Sequence, residues 1–413
     1  MNKRFLVTLL TMPLALASAF AFADDVAGGP TVKFSGYGTA AVTKTNTDEA
    51  QFARPNQAAG ADKTARFGVD SNLGLQASIT ANETFSFVGQ TLVRKDAVDE
   101  FRPELAWAFA KAKINEEFSV RVGRMGLPVF MISDYRNVGY ANTMLRPPGE
   151  VYSQVPLNSI DGIDGTFQRA FGETNLTAQL ALGRTRATLA TGPDSTIHIQ
   201  GKSIVALNLV AEHGPLTLRF GRAQTKITID DSSDQNKLMA ALRGTGAAFH
   251  LPQLGTLADD LAVTDKKASF TSLGLGLDWN NILVQSEFAK RKTDSYINNT
   301  TSWYVMGGYR IGKFLPYYSH ANLKSDGTVA NTVPAMAALI PLSVGVNTLL
   351  HTRNLQEQST DSIGLRWDFH RSAALKVQID RIKPKNGQGL FIDAASGFKG
   401  PVTVGAVAID FVF

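Results

Sequence analysis

The side chains able to do acid–base or metal chemistry are few and scattered. His198, His213, His250, His320, His351 and His370 are the six histidines. None is spaced i, i+4 with another, and none has a nearby carboxylate in a metal-site pattern. The absence of cysteine excludes a disulfide scaffold, an Fe–S protein and a Cys-ligated zinc site. No G-x-S-x-G elbow or phosphate loop appears, so no cofactor and no enzyme activity are expected. A Ser/His pair meeting across strands is the one hydrolase arrangement that spacing leaves open. What remains is electrostatic chemistry. Lys33, Arg66, Arg94 and Arg121 fall on the same side of neighbouring period-2 segments. Opposite them, Asp134, Glu150, Asp161 and Asp164, with Arg146, are the charged candidates of one long connection. Facing rows of opposite charge would set up a transverse field that orients dipolar solutes and disfavours apolar ones. The competing reading is plain ion pairing, with Glu104 and Asp70 neutralising part of the row.

Such a row needs strands to position it, and the chain supplies them. In 362–370 one face carries Ile363, Leu365, Trp367 and Phe369, and the other Gly364, Arg366 and Asp368. The same alternation runs through 273–279, 303–311, 375–380 and the last segment, Val407, Ile409, Phe411, Phe413. Sixteen segments follow the pattern: 31–43, 63–81, 83–95, 101–114, 117–125, 160–170, 173–187, 200–212, 215–229, 266–279, 281–293, 301–312, 313–323, 359–370, 372–384 and 400–413. Connections alternate between short turns rich in Asn and Gly, and long loops at 44–62, 126–159, 188–199, 230–265, 324–358 and 385–399.

The first 23 residues carry Lys3 and Arg4, an apolar run and Ala21-Phe22-Ala23, so 1–23 reads as a cleaved export signal with Asp24 starting a single domain, 24–413. A retained membrane helix is the alternative. Removing the signal leaves 39 basic against 36 acidic residues, without a Lys/Arg block, so a nucleic-acid partner is not expected. No later stretch of 18 residues is continuously apolar. Strand crossing is a different matter. Lipid offers no hydrogen-bond partners, so strands can cross it only if they pair sideways and close into a ring. Strand lengths of roughly 9–14, even in number, with short turns on one rim and long loops on the other, predict an all-β transmembrane antiparallel barrel of about sixteen strands. A periplasmic β-sandwich or solenoid is the competing architecture.

Taken in order, several short motifs then resemble the Gram-negative porin family. They are the opening Val32-Lys33-Phe34-Ser35-Gly36-Tyr37-Gly38, then Arg66-Phe67-Gly68 leading into Asn72-Leu73-Gly74-Leu75, the long loop after the fifth strand, and the alternating last strand ending in Phe413. The resemblance implies a homotrimer in the outer membrane of a Gram-negative bacterium, in contact with lipid and lipopolysaccharide. It implies a water-filled channel for passive diffusion of small hydrophilic solutes and ions. It also implies that Phe413 is the mark read by the outer-membrane assembly machinery, and that the long loop folds into the lumen. The second long-rim loop, 96–100, is shorter than the one family members often use to latch onto a neighbouring subunit. A non-conducting receptor or adhesion barrel and a phosphate- or anion-selective porin are the alternatives.

Alternation also turns Arg219, Arg310, Arg366 and Lys376 inward, offset by Asp278, Glu287, Asp368, Asp380 and Asp410, with a weak lean towards anions. The loop 230–265 contains a helix-compatible stretch, 237–243. The apolar stretch 329–350 should be covered, by folding over the opening or against a neighbouring subunit.

Overall fold

The computed structural model describes residues 29–413 apart from 193–194, 231–232, 328, 355 and 386. The expected leader, 1–23, and its cleavage point before Asp24 lie outside these residues. Sixteen strands follow one another around a ring. They begin with β1 (Thr31–Thr45), β2 (Arg66–Phe67 and, after a break, Asn72–Thr80), β3 (Phe85–Lys95) and β4 (Phe101–Lys113). Next come β5 (Phe118–Gly126), β6 (Ser159–Phe171), β7 (Thr174–Gly192) and β8 (Ser195–His213). The third quarter is β9 (Leu216–Ile229), β10 (Lys266–Trp279), β11 (Ile282–Thr293) and β12 (Asn299–Tyr309). β13 (Phe314–Asp326), β14 (Glu357–His370), β15 (Ala373–Lys385) and β16 (Val402–Val412) complete it. Each strand is antiparallel to the next, and β1 pairs with both β2 and β16, so the sheet is closed. Closure matters because an open edge would leave a column of backbone groups without partners in hydrocarbon.

The alternation sorts the side chains radially. Ile363 is 62% exposed on the outside, while Ser362 and Gln378 are buried inside. Aromatic rings gather on the outer face beside the short turns: Phe85, Phe118, Phe171, Trp279, Trp367 and Phe413. Such a band suits a membrane interface. Gly172, Gly214 and Gly312 close three of these turns with φ of +59°, +51° and +60°, a region other residues reach only with strain. At the seam Phe413 donates its backbone N–H to Gly36 O (3.0 Å) and its ring lies over Gly36, where a Cβ would sit 2.3 Å from a ring carbon. A side chain at 36 would have to displace this ring.

Three expectations need correction. The second strand is not continuous, because Gly68 turns with φ +121° and 68–71 leaves the ladder, carrying Asp70 inward. The loop expected at 188–199 is mostly strand, since β7 and β8 run on to 192 and from 195. Along this extension the radial pattern inverts: Ile197 and Ile199 are buried inside, whereas Arg184 and Arg186 lie outside. Above the lipid, water lies outside and a packed core inside, so the apolar face turns round. Third, the loop 230–265 holds two helices, α1 (Ser233–Ala248) and α2 (Pro252–Leu261), the first extending well beyond the expected short stretch 237–243. α3 (Ile340–Asn354) takes up part of the apolar stretch 329–350 at the same rim, burying Val346 and meeting Leu238 of α1 at Gly345. Ile340 and Val344 stay exposed.

Candidate functional site

The connection between β5 and β6 does not stand outside the ring. Its tip crosses to the far wall, where Met131 N–H donates to Glu287 (3.0 Å) and Tyr152 O–H donates to the other oxygen of the same carboxylate (2.8 Å). Arg219 donates to Pro128 O and Val129 O (3.0 and 3.2 Å). Further on, Lys376 Nζ lies within 2.6–3.1 Å of the carbonyls of Gly139, Asn142 and Met144, and 2.9 Å from Asp410. Arg366 donates to Tyr140 O and Asn142 O. Arg146 bridges Asp70 and Asp380, both at 2.9 Å. Inward charges that alternation alone would assign to a field are therefore latches. They donate into loop carbonyls that the irregular backbone leaves without ladder partners.

The row of four basic residues divides. Lys33 does face inward, but it pairs in register with Ser78 near the short-turn rim, far along the strand from the loop's contacts. Arg66 is bound by Asp99 at the opposite rim, and Arg121 by Asp164 (3.0 Å) on its register partner. Arg94 pairs with Glu104 (3.0 Å). Arg121 meets its carboxylate through antiparallel register, Arg94 meets Glu104 diagonally on the adjacent strand, and Arg66 meets Asp99 in the turn 96–100.

The acidic candidates divide as well. Asp134 is exposed on the loop and comes within reach of Arg121's charge. Glu150 sits at the start of a one-turn helix (Gly149–Tyr152) but is buried, accepting from Gln358 Nε2 (2.6 Å) and Thr360. Burial raises its carboxyl above the usual range despite these donors. Asp161 does not face the lumen. It shares the outer face with Ile163 and pairs there with Arg124 (2.6 Å), because inward parity on β6 belongs to Ile160 and Asp164. Arg146 is buried by its two carboxylates, so it shapes the loop instead of lining open water.

Between this loop and the long-loop rim lies a chamber of about 420 Å³. Arg54 and Arg136 line it beside Arg94, and neither was legible from the strand pattern. Both lie in irregular segments, where no periodicity says which way a side chain points. Arg54 reaches Asp70 (3.1 Å), which brings the first long loop into the lumen, and Phe52 of the same loop lies under the Arg146 guanidinium, 4.7 Å from its ring centre. Arg136 donates to Asn158 Oδ1 and makes no ion pair among the described residues. Burial, with the charges of Arg94 and Arg54 nearby, lowers it to about 10.

A closed ring of sixteen antiparallel strands, apolar outside and crossed within by one long loop, defines an outer-membrane channel protein. The Gram-negative porin model matches residues 10–328, and the chain belongs to that family. No curated protein matches the sequence. Among solved structures, OmpT of Vibrio cholerae superposes with a TM-score of 0.55 at 11% identity, over 93% of this chain and 98% of that one. Salmonella typhi OmpF in complex with daunomycin gives 0.53 at 15%, over 93% and 98%. The anion-selective porin from Comamonas acidovorans gives 0.53 at 15%, over 93% and 100%. At such identities the likeness speaks for the fold.

Proposed function

We propose that this porin passes small hydrophilic solutes and ions by passive diffusion, with a mild preference for anions, and works as a homotrimer. The observation that carries the ion preference is the charge lining the chamber. Arg54, Arg94, Lys95, Arg136 and Arg291 outnumber Asp70, Glu150 and Asp380 there. In a narrow, low-dielectric passage such a surplus concentrates counter-ions of opposite sign. Asp134 and Glu104 on the loop and wall offset it, which keeps the preference mild. The transverse field expected from Lys33, Arg66, Arg94 and Arg121 reduces on this reading to Arg94 and Arg121 against Asp134. An anion-selective porin stands among the structural relatives, and one OmpT structure of Vibrio cholerae is described as a trimer. Both support the reading by analogy alone.

Phe413, seated at the closing seam and 37% exposed, suits recognition by the assembly machinery. The outer apolar face suits lipid, and the arginines above it, Arg184 and Arg186, suit lipopolysaccharide. Reconstitution into planar bilayers under a salt gradient tests the channel. Discrete conductance steps with a reversal potential on the anion side are expected. A barrel with no steps would favour a receptor or adhesion role, and strong cation selectivity would remove the anion preference.

A further inference from the structure

The chamber has two unlike walls. From the rim ends of β7 to β10, Leu189, Ile197, Ile199, Ile227 and Phe270 turn inward onto it. The rest of its lining includes Arg54, Arg94 and Arg136. Hydrated inorganic ions gain nothing from the first wall, which has no groups to replace the water they shed. A wholly apolar solute gains nothing from the second. A mostly apolar cavity with a few placed charges is the usual form of a small-molecule site, and about 420 Å³ lies within the range of roughly 300–1,000 Å³ such sites span.

Arg136 is the side chain that asks for a ligand. Arg94 has Glu104, and Arg54 shares Asp70 with Arg146, but Arg136 has only a neutral amide oxygen. Its partial burial beside two like charges lowers its hold on its proton, and an arriving carboxylate would offset the cost of that burial and the repulsion with an opposite charge. Guanidinium and carboxylate match as a two-pronged pair, which fixes the ligand's polar end. A second carboxylate at the other end would be pressed against isoleucine and leucine without a donor, an uncompensated cost.

We propose that the chamber is a binding subsite for monocarboxylates with an aromatic or short aliphatic body. The carboxylate is held by Arg136 with Arg94 and Arg54, and the body lies on Leu189, Ile199 and Phe270. The assignment rests on the channel reading only for its consequence, that such acids gather at the mouth before crossing.

Calorimetric titration of the folded mature protein in detergent tests it, with benzoate, acetate, succinate and benzyl alcohol as probes. Benzoate is expected to bind about tenfold more tightly than acetate, succinate or benzyl alcohol, a difference near 1.4 kcal/mol. Arg136→Gln should weaken benzoate about tenfold. Arg94→Gln, whose partner Glu104 is largely exposed, gives the same reading if the first variant does not fold. Leu189→Asn should erase the benzoate-over-acetate difference and leave acetate unchanged. Equal binding of acetate and benzoate, or no effect of either arginine change on benzoate, overturns the subsite. Conductance in potassium chloride is recorded on the same preparation. Steps without benzoate preference leave the channel standing and the subsite refuted, and benzoate binding without steps does the reverse.

Discussion

Lys376 with Asp410 and Arg94 with Glu104 are both inward pairs of opposite charge in the same barrel, yet their surroundings differ completely. The first pair is fully buried under the loop, on β15 and β16, with three loop carbonyls around the ammonium. The second lies on β3 and β4, where the loop leaves water and Glu104 is 48% exposed. The side-chain types and the inward parity are alike. What differs is whether the loop lies over them. On the side where the loop rests, charge becomes a fastening, and its removal should cost stability. On the side it leaves open, charge meets solutes, and its removal should change selectivity.

The strongest test of this contrast is Lys376→Met. It strands Asp410 and removes the donor to three carbonyls, and breaking one partner of a buried pair costs about 3–5 kcal/mol. A lower melting temperature in detergent should be accompanied by larger, noisier conductance as the loop loosens. Unchanged conductance would mean the loop is held elsewhere.

A smaller effect is expected at Glu150, fastened by Gln358 and Thr360 on the neighbouring β14. Burial raises its carboxyl above the unfolded value, so the folded chain holds the proton more tightly than the unfolded one. The stability this gives is present below the ordinary carboxylate range and is lost as pH rises through the raised value. Glu150→Gln keeps the accepting oxygen, and should flatten the fall in melting temperature as pH rises above the ordinary carboxylate range. An equal fall in variant and parent would place the pH dependence elsewhere.

Arg94→Gln should scarcely change stability, since exposed or half-exposed pairs contribute roughly 0–1 kcal/mol. Its expected effect is on the reversal potential, moved towards cations. If instead it unfolds the barrel while Lys376→Met does not, the division drawn between the two walls is wrong.

Much of the barrel was legible in order. Sixteen alternating segments, short turns against long loops, and Ile363, Leu365 and Trp367 on one face all follow from the fixed period of two that an extended chain imposes. The failures have separate causes. Gly68 breaks β2 without breaking the alternation of residue types. The extensions around Ile197 and Ile199 leave the membrane, so the outside medium changes from lipid to water and the apolar face changes sides. Asp161 was grouped with the lumen because it is acidic and close to the loop, although its parity with Ile163 turns it outward.

The sequence by itself determined the ring, its hydrocarbon-facing side and most of the inward charges carried by the strands, because these depend on local period and on what lipid excludes. Only the tertiary structure decided which of those charges fasten and which face water. That outcome depends on where one aperiodic segment of about thirty residues comes to rest. Its carbonyls must find donors somewhere on the wall, and no local rule fixes which arginine or lysine, hundreds of residues away, will supply them.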